Sequence, residues 1–230
     1  VDIEKLLDMV RKAYDLTVEQ YLQRINPLDD ILEAIKNSPF YKSLAEDHDE
    51  LNAGSPEVKD YLNPESGMQF LDAGCSANLV NYRLDRWPST FYGVDISPAL
   101  IDAMKKCVSR ENIIIGGLYV TDLTRLPFDD SFFHISMVIG VLEYCTFEYL
   151  KTALFKLNRV MKPGARVALD IPNPNYLFVH DMERLELHLK RPIFIHPRSE
   201  FEKLLEPLFS TERVEDSKVM LKYFLKAERD

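Results

Sequence analysis

The feature that most constrains this chain lies between residues 68 and 95. Residues 68–71 form a short, mostly apolar run bounded by Gly67 and by Asp72-Ala73-Gly74, the pattern of a buried parallel strand that ends in a tight turn. Gly74 can take backbone angles that other residues avoid, and Cys75, Ser76 and Ala77 are small enough to let a ligand approach the main chain. Leu79, Val80 and Leu84 then begin a helical stripe, whose free first-turn N–H groups would face whatever lies over the loop. A second apolar run, Phe91-Tyr92-Gly93-Val94, ends at Asp95, 21 residues beyond Gly74. In a Rossmann-like unit an acid at that separation closes the second strand and hydrogen-bonds ribose hydroxyls. The stretch therefore predicts an α/β chain built to hold a nucleotide-type cofactor. A dinucleotide is disfavoured, because G-x-G-x-x-G is absent and one glycine stands where three are expected.

Three further segments follow in order. Val120-Thr121-Asp122-Leu123-Thr124-Arg125-Leu126-Pro127-Phe128 places an acid a few residues before Leu-Pro-Phe. Residues 133–142 are long and apolar enough for a central fourth strand and its exit, with Glu143-Tyr144-Cys145 at the C-terminal end, where open α/β sheets bind ligands. Residues 159–169 read as a helix end, a Pro163-Gly164 turn and a fifth strand.

Taken together, these segments resemble the class I S-adenosylmethionine-dependent methyltransferases, especially the small-molecule group that includes the ubiquinone and menaquinone biosynthesis enzymes (methyltransferase type 11). The resemblance covers residues 68–171 well and the rest loosely. The family's first motif, Asp/Glu-x-Gly-x-Gly-x-Gly, stands here as Asp72-Ala73-Gly74-Cys75-Ser76-Ala77-Asn78, with Ser76 and Asn78 in place of two glycines. Both are small, and asparagine tolerates left-handed geometry better than most residues. The resemblance assigns S-adenosyl-L-methionine, with S-adenosylhomocysteine as product, to Asp72, Gly74, Cys75, Ser76 and Asn78 of the loop. It adds Asp95 and Ile96 at the ribose, Asp122 at the adenine amino group with Leu123 beside it, and Ile139. Each acid also has a plainer reading. Asp95 or Ser97 can cap the helix after Pro98, Asp122 can open a turn, Cys75 can be a packing residue, and Glu143 can cap the next helix or contact substrate or the methionine amine.

The implied architecture is a Rossmann-like, seven-stranded, mostly parallel sheet with helices on both faces. It would end in an antiparallel pair, 209–214 and 219–227, and carry an N-terminal helical cap over residues 1–64 before a methyltransferase domain at 65–230. In the cap, Ile3, Leu6, Leu7, Val10 and Tyr14 share one face, and Leu28, Ile31, Leu32 and Ile35 make a second stripe after Pro27. Breaks fall at Asn37-Ser38-Pro39 and Asn52-Ala53-Gly54-Ser55-Pro56. Tyr14, Tyr21, Phe40 and Tyr41 are candidate lid aromatics, with helix–sheet packing as the alternative. Residues 172–198 would form the other wall of a substrate cavity, since loops at that edge carry specificity. They hold Tyr176, His180, Asp181, His188 and His196. The candidate substrate contacts are Tyr14, Tyr21, Glu143 and Tyr176, and the candidate catalytic residues are His180 and Tyr144. The histidine spacing has no tight metal pattern, so no metal site is assigned.

Methyl transfer from a sulfonium needs mainly an in-line nucleophile about 3 Å from the methyl carbon. A base is required only where the nucleophile must lose a proton. The expected activity is transfer to an O, N or C atom of a small molecule. The alternatives are a protein or RNA methyltransferase and a non-catalytic scaffold with a degenerate loop. A net charge of −9 disfavours nucleic acid, because a phosphate backbone rewards a basic surface. The 230 residues, 46% hydrophobic, suit one core with an appendage, as a monomer or homodimer. No run approaches the roughly 18 apolar residues of a membrane span. Three unpaired cysteines and a start without signal-peptide character predict a cytoplasmic protein.

Overall fold

A computed structural model describes residues 2–25, 33–38, 41 and 56–228. Within them the chain forms β1 (Gln69–Ala73), β2 (Thr90–Asp95), β3 (Gly117–Val120), β4 (Phe133–Val138), β5 (Met161–Pro172), β6 (Phe209–Glu215) and β7 (Met220–Ala227). These make one sheet in the order β3-β2-β1-β4-β5-β7-β6. Neighbours from β3 to β5 pair in parallel, and β7 runs antiparallel to β5 and β6. The chain winds outward from β1 to β3, then restarts at β4 on the other side. The topological switch point therefore falls between the carboxyl ends of β1 and β4, where such sheets bind ligands.

Both faces of the sheet are covered, which explains the continuous apolar runs. Side chains alternate along a strand. Phe70 and Leu71, Met137 and Val138, and Phe224 and Tyr223 accordingly fall into opposite buried clusters. One cluster is completed by the helices Phe147–Val160 and Arg198–Leu205, through Leu150, Leu154, Leu157 and Phe201. The other is completed by the helices Pro56–Leu62 and Pro98–Glu111, through Val58, Leu62, Ile101 and Met104.

Two local expectations are corrected. The helix expected after the Gly74 loop is a single turn, Asn78–Asn81, because Arg83 takes a left-handed φ of 53° and a 3-10 turn, Leu84–Arg86, follows. Pro163-Gly164 does not separate helix from strand. Residues 161 and 166 pair with 133 and 135 of β4, so three extra residues bulge out of a continuous β5, and Gly164 supplies the φ of +76°. The first helix, Ile3–Leu22, buries Leu6 and Val10 of the predicted face, with Ala13 beside them, while Ile3, Leu7 and Tyr14 are half-buried. Of the second stripe only Ile35 can be placed, and it is buried; residues 27, 28, 31, 32, 39, 40 and 52–55 lie outside the described residues.

Candidate active site

A cavity of about 200 Å³ opens at the switch point, walled by the Gly74 loop, the ends of β2, β3 and β4, and the first helix. Gly74 has φ +87°, and a Cβ there would stand 2.2 Å from Val141 Cγ2, so glycine is required both for the turn and for the close approach. The Gly74 and Cys75 N–H groups both donate to Val94 O, at 2.8 and 2.9 Å, which ties the loop to the end of β2. Ser76 adopts φ +39° and its N–H donates to Asp95 Oδ2 at 2.8 Å. The other oxygen, Oδ1, accepts from Ser97 N–H at 2.9 Å. Asp95 thus clamps the loop to the start of the helix Pro98–Glu111, while Ser97 Oγ caps that helix through Leu100 N–H at 3.1 Å. The two Asp95 oxygens have four lone pairs between them, more than the N–H groups of the chain fill, which leaves the acceptor capacity that a ribose contact requires. Burial pushes the Asp95 carboxyl up, opposed by the N–H groups of Ser97, Ser76 and Ile96.

At the two positions where the family has glycine, the chain finds two different solutions. Ser76, not Asn78, takes the left-handed backbone. Asn78 instead begins the short helical turn and donates its amide to Asp72 Oδ2 at 3.2 Å. Asp72 is 1% exposed, and burial raises its carboxyl to about 8, with the Asn78 bond opposing and the Asp95 charge adding. A carboxyl whose folded pKa lies above its unfolded value binds more protons in the native state, so stability falls as pH rises from about 4 to about 8. Asp72→Asn keeps an acceptor for Asn78 and removes that dependence. The variant should melt near the wild type at pH 5 and about 3 °C or more above it at pH 8, by calorimetry at both pH values.

Asp122 follows β3 and lines the cavity. Its Oδ1 caps the turn Leu123–Arg125 through Thr124 N–H at 2.7 Å and accepts from Tyr149 OH at 3.3 Å. Tyr149 OH in turn accepts from Leu123 N–H at 3.2 Å. Asp122 therefore does cap a turn, and among the described residues its Oδ2 meets only the Arg125 guanidinium, at 3.7 Å, leaving acceptor capacity toward the cavity. Ile96, Leu123 and Ile139 add apolar wall.

The opposite wall comes from the first helix, through Leu7, Val10 and Tyr14. Ser97 Oγ donates to Asp15 Oδ1, and Ala99 N–H reaches the same oxygen at 3.4 Å, so this helix is fastened beside the Asp95 clamp. Tyr14 OH donates to Tyr144 OH at 3.1 Å, and Tyr144 OH donates to Glu186 Oε2 at 2.9 Å. Glu143 is fully enclosed beside Gly140, its Oε2 has no hydrogen-bond partner among the described residues, and burial with the nearby Asp170 pushes its carboxyl well up. Asp170 Oδ1 accepts from Gly140 N–H at 2.9 Å, and its carboxyl is raised to about 6 by burial.

The structure gathers Tyr14, Gly74, Ser76, Asn78, Asp95 and Ile96 at the cavity, with Asp122, Leu123, Ile139 and Tyr144. Asp72 supports it from beneath through Asn78. Cys75 is 1% exposed, packs its side chain into the core and has its thiol pushed well up by burial, so only its backbone serves the loop. Glu143 is buried behind the wall and does not line the cavity, and three more candidates lie elsewhere. Tyr21, on the last turn of the first helix, is 80% exposed. Tyr176 packs with Phe178 against a small cluster around Ile35 and Met182. His180 projects to solvent and pairs with Glu183 at 3.1 Å. His196 is buried with Nε2 against Cys145 O at 2.8 Å. Among the described residues no group of three His, Cys, Asp or Glu side chains has metal-binding geometry, and no helix is long and apolar enough to cross a membrane. Tyr149, Glu186 and Arg191 were not foreseen, since each reaches the site through contacts 26 or more residues away in sequence.

Sheet order, glycine turn and clamped acid together define a Rossmann-like α/β domain with a ligand cavity at its topological switch point. Residues 71–169 match the model of the family described as "Methyltransferase domain". The ubiquinone biosynthesis O-methyltransferase, mitochondrial, of Schizosaccharomyces pombe is 30% identical over 117 residues, 49% of this chain and 41% of that protein, so the match spans about two fifths of the curated relative. Among solved structures, the geranyl diphosphate C-methyltransferase of Streptomyces coelicolor A3(2), in complex with Mg2+, geranyl diphosphate and S-adenosyl-L-homocysteine, aligns over 98% of both chains with TM-score 0.68 and 16% identity. The magnesium protoporphyrin IX methyltransferase of Synechocystis PCC 6803, with bound S-adenosylhomocysteine, aligns over 98% of this chain and all of that one, with TM-score 0.65 and 18% identity.

Proposed function

We propose that this chain is an S-adenosylmethionine-dependent methyltransferase that acts on an O, N or C nucleophile of a small molecule. The observation that carries the reading is Asp95, both of whose oxygens are fixed by loop and helix N–H groups at the wall of the switch-point cavity. The donor set fits the cofactor. Asp95 offers acceptors to ribose hydroxyls, Asp122 Oδ2 offers one to an adenine amino group, and Ile96, Leu123 and Ile139 provide apolar flanks for a ring. The bound sulfonium supplies an activated methyl group; the chain's part is to hold the acceptor in line and keep water out. The first helix closes the acceptor side with Leu7, Val10 and Tyr14, which supports its reading as a lid. The test is calorimetric titration with S-adenosylmethionine and S-adenosylhomocysteine. Micromolar binding of both is expected, and binding of neither would turn the reading to a scaffold.

A further inference from the structure

The acceptor-side wall contains a hydrogen-bonded chain of fixed polarity. Tyr144 OH lies 2.9 Å from Glu186 Oε2. A carboxylate only accepts, so the Tyr144 proton points at Glu186. Tyr14 OH lies 3.1 Å from Tyr144 OH and must therefore be the donor of that bond. The Tyr14 proton is taken up by Tyr144 and the Tyr144 proton by Glu186, which does not line the cavity, and the Tyr14 oxygen keeps only lone pairs for any other partner.

Glu186 is held as the end of this chain. It sits on the helix Val179–His188, and the Arg191 N–H donates to its backbone carbonyl at 2.9 Å, folding Arg191 back over it. The Arg191 guanidinium reaches Glu186 Oε2 at 3.5 Å and lies over the Tyr14 ring, 4.5 Å from its centroid. Among the described residues, the charged or titratable groups around Glu186 are Tyr14, Tyr144, Glu143 and Arg191. Burial pushes both tyrosine phenols up, so they stay neutral and can relay a proton without holding a charge.

We infer that Tyr14, Tyr144 and Glu186 form a proton relay leading out of the cavity, and that the site accordingly takes a methyl acceptor whose nucleophile carries its own hydrogen, a phenol, alcohol or amine. The inference rests on the methyl-transfer reading. In the step, the acceptor's lone pair forms the bond to the methyl carbon, and the carbon–sulfur bond breaks with its electron pair going to sulfur. The acceptor's proton passes to Tyr14 oxygen, that of Tyr14 to Tyr144, and that of Tyr144 to Glu186. A neutral acceptor leaves as a neutral methylated product, the sulfonium becomes a thioether, and Glu186 carries the proton. A thioether sulfur has no hydrogen to deliver and gains nothing from this wall. Glu186 and Arg191 are positioning residues that act through the tyrosines.

The first arm is binding. The protein saturated with S-adenosylhomocysteine is titrated with catechol against 1,2-dimethoxybenzene, and with aniline against N,N-dimethylaniline. The hydrogen-bearing member of at least one pair should bind 10-fold or more tightly, and Tyr14→Phe should erase the preference. The second arm follows transfer of a labelled methyl group to that member. Glu186→Gln should lower kcat about 100-fold with KM changed less than about 3-fold, and Glu186→Asp should recover part of the loss. Melting temperatures and S-adenosylhomocysteine affinity show that each variant is folded, and Tyr144→Phe serves where Glu186→Gln is not. No binding of S-adenosylhomocysteine overturns the methyl-transfer reading and the relay together. Normal cofactor binding with no hydrogen-dependent preference, no probe bound, methylation of thioanisole as fast as of catechol, or unchanged kcat in Glu186→Gln overturns the relay alone.

Discussion

Gly74→Ala is expected to destabilise the protein by about 2–5 kcal/mol and to abolish measurable cofactor binding. Two costs add. The φ of +87° is open to glycine and strained for any residue with a Cβ, and that Cβ would lie 2.2 Å from Val141 Cγ2. Val141 belongs to the segment leaving β4, so relief of the clash must shift either the loop or the wall opposite. Both movements disturb Ser76, whose N–H is aimed at Asp95. The melting temperature should fall by about 5–15 °C, read by calorimetry beside the S-adenosylhomocysteine titration. The two costs separate in a double mutant. Val141→Ala removes the obstructing methyl, so Gly74→Ala should cost at least about 1 kcal/mol less on that background, the remainder being backbone strain.

The parts of this fold that were legible in the sequence share a physical property: each is fixed within a short stretch of chain. The strand–glycine–acid spacing from Gly74 to Asp95 is set by one strand, one turn and the next strand, so the site's floor can be read locally. The first helix was equally plain, because Leu6, Val10 and Tyr14 repeat at helical spacing. What failed to show depends on distant pairing. Glu186 lies in a charged stretch that reads as solvated, yet it is buried against Tyr144, 42 residues earlier. His180, in the same stretch, has similar neighbours and faces solvent, and nothing local distinguishes the two. The exchange of roles between Ser76 and Asn78 was hidden for another reason. Residue type says which of them tolerates a left-handed backbone, but the position of Asp72 decides which side chain is needed as a donor.

Asp95→Asn offers the sharpest test of the clamp, since it changes one atom and almost no volume. Oδ1 and Oδ2 each receive a backbone N–H, from Ser97 and Ser76 respectively. A carboxylate satisfies both; an asparagine must turn its NH2 toward one of them and set two donors face to face. Leaving a buried donor unmatched costs about 1–3 kcal/mol, and the same NH2 can no longer accept from a ribose hydroxyl. Cofactor affinity should therefore drop about 100-fold or more, beyond what a loss of overall stability would produce in a site that remains folded. Asp95→Ala removes the clamp without creating the opposed donors, and where water reaches the freed N–H groups it should be the less destabilising of the two. That ordering in melting temperature, with cofactor affinity lost in both, separates an acid that organises the loop from one that merely touches ligand. If Asp95→Asn melted like the wild type while losing cofactor, the bonds to Ser76 and Ser97 would be incidental and ribose contact would be the residue's whole role.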